Sequence, residues 1–174
     1  MRRIVLSCVC LAVLFVPAAA SGRLTPFVAK PGYLVVQKAA NDGGEHGHPA
    51  ITLVVQGFVL GRVTQQARVD IYHLPSANGQ TSAKGQDVKS HSVRLGNLPG
   101  VEYKGSGFRF SAVGGSYRVV IRGTGVYLFA GGIGGTVTLQ GRSIYKLKDG
   151  TYSINGGKPL SLPTQRLTRR IPPR

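Results

Sequence analysis

Short runs rich in Val, Ile, Tyr, Phe and Thr recur along this chain, and Gly, Asn, Asp and Pro separate them. Their spacing is close to the roughly 8 to 12 residues per strand that is typical of β-sandwiches and barrels. Apolar residues at helical spacing are nearly absent after residue 20. The pattern predicts one all-β domain over residues 22–162, an antiparallel β-sandwich or open barrel. A loose echo between "TLVVQGFVLGRV" and "RVVIRGTGVYLF" leaves a β-solenoid as the alternative.

The clearest local signal is the hairpin sequence "SIYKLKDGTYSING", in which Asp149 and Gly150 stand between two alternating segments. A type I′ turn needs positive φ at both central residues, and Asp-Gly satisfies this requirement well. Alternation places Lys146 and Lys148 on one side of the first segment. The predicted strands are 33–38, 51–55, 69–73, 92–95, 108–112, 117–122, 126–130, 136–140, 144–148 and 151–154.

The strand "SYRVVIRG" has the same two-sided character. Arg118 and Arg122 share one side with Val120, and the other side carries Tyr117, Val119 and Ile121. Together with the hairpin, this predicts a solvated basic face that carries Arg118, Arg122, Lys146 and Lys148. The aromatic residues of this half of the chain are expected to fill the core instead. They are Tyr117, Tyr127, Phe129, Tyr145 and Tyr152.

The glycine-rich stretch "GTGVYLFAGGIGGTVTLQG" at residues 123–141 resembles a phosphate-binding loop at first sight. Such a loop leads into a helix, whose N-terminus attracts the anion. Here a strand sequence follows, and Val137 occupies the position where the GxGxxG pattern needs glycine. The glycines are therefore interpreted as hairpin corners, bulges or points of close backbone approach.

The N-terminus has the three parts of a secretory signal peptide. Arg2 and Arg3 precede an apolar run over residues 4–16, and small residues lead to a cleavage site after Ala20. About 13 apolar residues are too few for the roughly 20 that span a bilayer. The sequence predicts a secreted or cell-wall protein without a transmembrane segment in the mature chain.

Cleavage after Ala20 would remove Cys8 and Cys10, so no disulfide or cysteine metal site is expected. The rest of the chain has 20 basic and 6 acidic residues, a net charge of +14. Residues 101–174 carry twelve of these bases and two of the acids. This asymmetry favours an anionic polymer as partner, and no specific nucleic acid is expected.

The C-terminal segment over residues 163–174 mixes arginine with proline and is predicted to be a disordered basic tail. Its arginines are expected to assist the basic face in polyanion binding. They are Arg166, Arg169, Arg170 and Arg174.

Catalytic motifs are scarce. The nucleophile elbow GxSxG is absent from the sequence. Asp70 with His73, or Asp87 with His91, are weak candidates for an acid–imidazole pair. No catalytic residue and no cofactor is therefore assigned.

The "EHGH" loop carries two histidines two residues apart, which an extended segment places on one side. His46 and His48, completed by His73 or His91, are therefore candidate metal ligands.

The stretch "YRVVIRGTGVYLFAGGIGGTVTLQG", followed by "GTYSINGG", resembles the small, glycine-rich secreted β proteins common in high-GC actinobacteria. The resemblance covers residues 105–157 and implies an exported protein that is not an enzyme. The preferred hypothesis is an exported, non-enzymatic envelope or extracellular protein that binds an anionic polymer through its basic sheet face. The alternatives are a metal-dependent secreted enzyme or metal carrier, and a self-assembling surface structural protein, since exposed β edges invite self-association.

Overall fold

The computed structural model describes residues 31–38, 50–75, 78–140, 150–163 and 165–174. These ranges contain β-strands and no helix. The strands are β1 (Gly32–Lys38), β2 (Ala50–Val63), β3 (Ala67–His73), β4 (Gln80–Lys84), β5 (Lys89–Leu95), β6 (Leu98–Gly105), β7 (Phe108–Gly123), β8 (Val126–Leu139), β9 (Gly150–Ile154), β10 (Leu160–Ser161) and β11 (Leu167–Arg170). Within the described ranges, no helix is long and apolar enough to cross a membrane.

The strands form one antiparallel sheet in the order β10-β9-β1-β8-β2-β7-β3-β6-β5, with β11 beside β8 and β4 beside β7. The sheet does not close into a barrel and is sandwich-like, which confirms the all-β prediction. The solenoid alternative is wrong, because stacked solenoid coils do not produce these antiparallel pairings of strands distant in sequence. The strands β4, β6, β10 and β11 were not predicted from the sequence.

Three long strands bend at glycines. The pairing of β2 with β7 passes from Gly57 opposite Gly115 to Phe58 opposite Val113, so that β7 has one extra residue. The pairing of β2 with β8 likewise leaves one extra residue in β8 next to Gly132. Two strands of the structure each replace two predicted ones. The predicted strands 108–112 and 117–122 are both part of β7, and the predicted strands 126–130 and 136–140 are both part of β8.

The bend divides the sheet into two half-sheets. The first half-sheet contains β3, β5, β6 and β11, with residues 50–56 of β2, 116–123 of β7 and 135–139 of β8. The second contains β1, β4, β9 and β10, with residues 57–63 of β2, 108–113 of β7 and 126–132 of β8.

The extra residue changes which side chains of a strand face the core. In β7, Phe108 and Phe110 are buried before the bulge, whereas Tyr117, Val119 and Ile121 are buried after it. One inserted residue reverses the alternation. The even-numbered residues before the bulge and the odd-numbered residues after it therefore point to the same side of the sheet. Buried residues from both half-sheets consequently form a single hydrophobic cluster.

The glycines of the bend and of the β7–β8 turn are required by geometry, which confirms their interpretation as corners, bulges and close approaches. Gly125 has a φ of 62° in the turn between β7 and β8. A Cβ on Gly132 would lie 1.8 Å from the carbonyl oxygen of Gln56, and one on Gly57 would lie 2.3 Å from that of Gly131. Only glycine allows the backbones of β2 and β8 to approach this closely.

The C-terminal segment forms a strand over Leu167–Arg170, where the sequence predicted a disordered tail. Residues 167–170 pair with β8, and Leu167 lies opposite Leu139. Ile171 is only 1% exposed, and its N–H donates to the carbonyl of Gly135 at 2.9 Å. An edge strand tolerates the neighbouring prolines. Pairing with β8 and burial of Ile171 together dock a segment that composition alone classifies as mobile.

Several sequence predictions concern residues outside the described ranges. These are the signal peptide over residues 1–20, the first segment of the hairpin with Lys146 and Lys148, and the loop with His46 and His48. The second segment of that hairpin is β9, which pairs with β1 and β10.

Alkaline pH is expected to destabilise the fold through Tyr117. Its hydroxyl donates to the carbonyl of Val113 beside the bulge, and burial raises its pKa above the ordinary 10.0. The folded state therefore keeps a proton that the unfolded state loses first. This contribution to stability is complete below pH 10 and is lost as the pH rises through the folded pKa.

Chemical denaturation at neutral and at alkaline pH tests this expectation. Tyr117→Phe should cost about 1 kcal/mol at neutral pH because a hydrogen bond is removed, but its stability should fall less steeply with pH. Tyr127→Phe, at a half-exposed position, is the control. Equal alkaline losses in wild type and Tyr117→Phe would contradict the role of Tyr117.

Candidate functional site

The outer surface of the first half-sheet carries six basic side chains on paired strands. We call this surface the basic face; its cations are Arg68, Lys89, Lys104, Arg118, Arg122 and Arg170. Alternation places them there, because the residues between them in β3, β6 and β7 point into the core. The prediction that Arg118 and Arg122 share one face, opposite Tyr117, Val119 and Ile121, is confirmed.

Four of these cations form a row across adjacent strands. Lys89 lies opposite Lys104, Lys104 opposite Arg68, and Arg68 opposite Arg122. Like charges directly opposite each other on a sheet repel. The repulsion is reduced by two carboxylates in the next row of the same face, where Asp70 lies opposite Glu102.

Asp70 organises the arginines of this row although it is only 1% exposed. It accepts a hydrogen bond from Arg68 Nε at 2.9 Å and one from Arg122 Nη1 at 2.8 Å. Arg68 Nη2 also contacts Glu102 Oε2 at 2.6 Å. The hydrogen bond with Asp70 is the main cause that raises the pKa of Arg68 above its ordinary value. Arg122 is likewise held in an ion pair with Asp70 and is not freely solvated.

Arg118 has a different environment. Its cross-strand neighbours are Tyr72 and Val54, and its Nε atom is buried without a hydrogen-bond partner. Within the described ranges it makes no ion pair. Partial burial of a guanidinium without a partner costs free energy, and an external anion that pairs with it would offset this cost.

Arg170 lies on the same face and in the same row as Arg118. The row runs from Arg118 through Val54 and Thr136 to Arg170 across β7, β2, β8 and β11. Three strand spacings of about 4.8 Å separate the two arginines by roughly 14 Å. Arg170 also forms no ion pair in the part of the chain that the structure describes.

The other tail arginines do not join this face. Arg169 alternates with Arg170 and lies on the opposite side of β11, and Arg166 precedes the strand. The Arg174 guanidinium lies 5.2 Å from the ring centroid of Tyr33 and donates to the carbonyl of Asn155 at 3.0 Å. Of the four tail arginines that were predicted to assist one basic face, the structure therefore places Arg170 on it and the other three elsewhere.

The described histidines lie apart. His73 is on the core side of β3 and contacts the edge of Tyr117 at 5.5 Å between ring centroids. Asp70 is on the opposite side of the same strand, so these two residues cannot form an acid–imidazole pair. His91 lies opposite Glu102 on the outer side of β5. The described ranges contain no cluster of three or more candidate metal ligands.

A shallow depression lies at the bend of the sheet. It is lined by Gln56, Asn78, Ser116, Ile133 and the glycines of β2, β7 and β8. None of these lining side chains titrates near neutral pH, so the depression offers neither a general acid nor a general base.

No family model, no curated protein and no solved structure matches the chain.

Proposed function

We propose that this chain is an exported, non-enzymatic envelope or extracellular protein that binds an anionic polymer along its basic face. The observation that supports the proposal most directly is the row containing Arg118 and Arg170, two arginines without a carboxylate partner among the described residues. The signal-peptide pattern over residues 1–20 supports export.

The charge balance of the basic face favours an anionic partner. Its six described cations face two carboxylates, Asp70 and Glu102, which leaves a net charge of +4. The cations extend from β5 at one edge to β11 at the other. Seven adjacent strands at about 4.8 Å spacing cover roughly 29 Å. An extended, repeating anion can contact several of these cations at once, whereas a small anion cannot.

The paired arginines remain useful for binding. A guanidinium has five N–H donors, and Arg122 uses one of them for Asp70. Asp70 holds Arg68 and Arg122 in defined positions, so that less side-chain entropy is lost when a polymer binds. The buried carboxylate thus orients part of the face, while Arg118 and Arg170 supply charge that has no carboxylate partner among the described residues.

Replacing Arg118 and Arg170 together by Gln is expected to weaken polymer binding. The probes are polygalacturonate and polyphosphate, and binding is measured by titration from low to high salt with the processed protein purified from an exporting host. Affinity at low salt should fall about tenfold or more. The slope of log K against log salt should become shallower by about one for each polymer charge that the variant no longer neutralises.

The matched control is Arg94→Gln with Arg166→Gln, which removes the same charge from exposed positions away from the Arg118–Arg170 row. An equal loss of affinity in the control would show that net charge, not the basic face, determines binding. Wild-type protein that binds neither polymer at low salt would also refute the proposal.

A further inference from the structure

The outer surface of the second half-sheet is apolar and aromatic. We call it the aromatic face; it comprises Tyr33, Val35, Phe58, Leu60, Val113, Tyr127 and Phe129. Leu60 is 43% exposed, Tyr127 49% and Phe129 40%. The expectation that Tyr127 and Phe129 fill the core is wrong, because the bulge in β8 places odd-numbered residues outside in this half-sheet. Tyr117 and Tyr152 are buried, as predicted.

These side chains form one continuous patch around Phe129. Its ring centroid lies 5.8 Å from that of Tyr33 and 5.3 Å from that of Phe58. Val35 and Leu60 are its direct cross-strand neighbours on β1 and β2. A contiguous exposed apolar patch of this kind marks an interaction surface rather than ordinary surface scatter.

A row of cations borders the patch. Arg62 lies opposite Arg109, and Arg109 lies opposite Lys84, so three like charges stand in register across β2, β7 and β4. All three are exposed. This arrangement is unfavourable unless an external anion compensates it. The described strands of this half-sheet, unlike those of the basic face, contain no carboxylate.

A fourth cation lies at the opposite side of the patch, where Arg174 stacks over the ring of Tyr33. The patch is thus apolar at its centre and positive on two sides. Adjacent rows on a strand face are two residues apart, which is about 7 Å. The cations of Arg62, Arg109 and Lys84 therefore lie one row, about 7 Å, from Leu60 and Phe129 on the same face, so one flat surface can contact both groups at once.

We propose that the aromatic face docks on the surface of an anionic lipid membrane. Phe129, Leu60 and Val35 enter the boundary between headgroups and acyl chains, while Arg62, Arg109 and Lys84 contact lipid phosphates. A soluble polyanion would satisfy the cations but leave the apolar centre in water. This inference goes beyond the proposed function, which uses the opposite half-sheet.

Vesicle co-sedimentation tests the proposal with the processed protein from an exporting host. The probes are vesicles of phosphatidylcholine alone and of an equimolar mixture with phosphatidylglycerol. Leu60→Ser with Phe129→Ser should reduce affinity for the anionic vesicles about tenfold, because partly exposed apolar side chains can no longer be buried. Leu95→Ser with Leu160→Ser, at comparably exposed positions elsewhere, should bind like wild type. Thermal unfolding verifies that each variant is folded.

Three results would overturn the proposal. The first is equal binding by both double variants. The second is wild-type affinity that does not increase from neutral to anionic vesicles. The third combines two measurements: light scattering shows that the wild type is a dimer and that Leu60→Ser with Phe129→Ser is a monomer, while vesicle binding is the same for both. The aromatic face would then bind a second copy of the chain and not a membrane.

Discussion

Gly132→Ala is expected to abolish the native fold or to lower the free energy of unfolding by about 3 kcal/mol or more. The added Cβ would lie 1.8 Å from the carbonyl oxygen of Gln56. The oxygen belongs to the backbone in the centre of the sheet, and the backbone of residue 132 fixes the position of the Cβ, so no side-chain rotation can relieve the clash. The strands β2 and β8 would have to separate at the bend, where the two half-sheets are connected.

Gly134→Ala is the matched control in the same strand. Gly134 has a φ of +76°, and an added Cβ would have no neighbour within 4 Å. This variant should therefore lose only the cost of left-handed backbone, about 1–2 kcal/mol. Chemical denaturation of both variants measures the difference. Equal losses would mean that backbone conformation, not the close approach of β2 and β8, makes glycine necessary at the bend.

Ile171→Ala is expected to lower the free energy of unfolding by about 3 kcal/mol, since Ile-to-Ala changes at buried positions cost roughly 2–5 kcal/mol. Ile171 is 1% exposed and belongs to the main hydrophobic cluster. A disordered tail would show no change. Leu160→Ala is the control, because this side chain is 50% exposed in the short strand β10. Its loss should remain within about 0.5 kcal/mol.

The chain after Ile171 is also tied to the second half-sheet. Asn155 accepts a hydrogen bond from the Tyr33 N–H at 2.8 Å through its side-chain oxygen, and its side-chain amide donates to the carbonyl of Pro172 at 2.9 Å. The same residue has a φ of 53°, which non-glycine residues adopt infrequently. The C-terminal segment thus connects β8 in the first half-sheet with β1 in the second. Loss of Ile171 should therefore weaken the attachment of the C-terminal segment to both half-sheets.

The candidate site was only partly predictable from the sequence. Alternation in "SYRVVIRG" placed Arg118 and Arg122 on one side, because period two is a local property of any strand. It did not indicate that Asp70 binds Arg122, since that hydrogen bond joins residues 52 positions apart. It also did not indicate the aromatic face, because an exposed and a buried aromatic residue have the same local pattern.

Residue type and spacing by themselves determined that this chain forms β-strands, that glycine marks their turns and bulges, and which side chains share a side within a short segment. Those properties depend on backbone sterics and on the period of two. The tertiary structure decided which side faces the core on each half of β7 and β8, because one extra residue in β7, at Gly114, and one in β8, between Gly132 and Gly135, reverse the alternation. It also decided that residues 167–171 are ordered, because their stability comes from pairing with β8 and from burial of Ile171, and neither interaction is local.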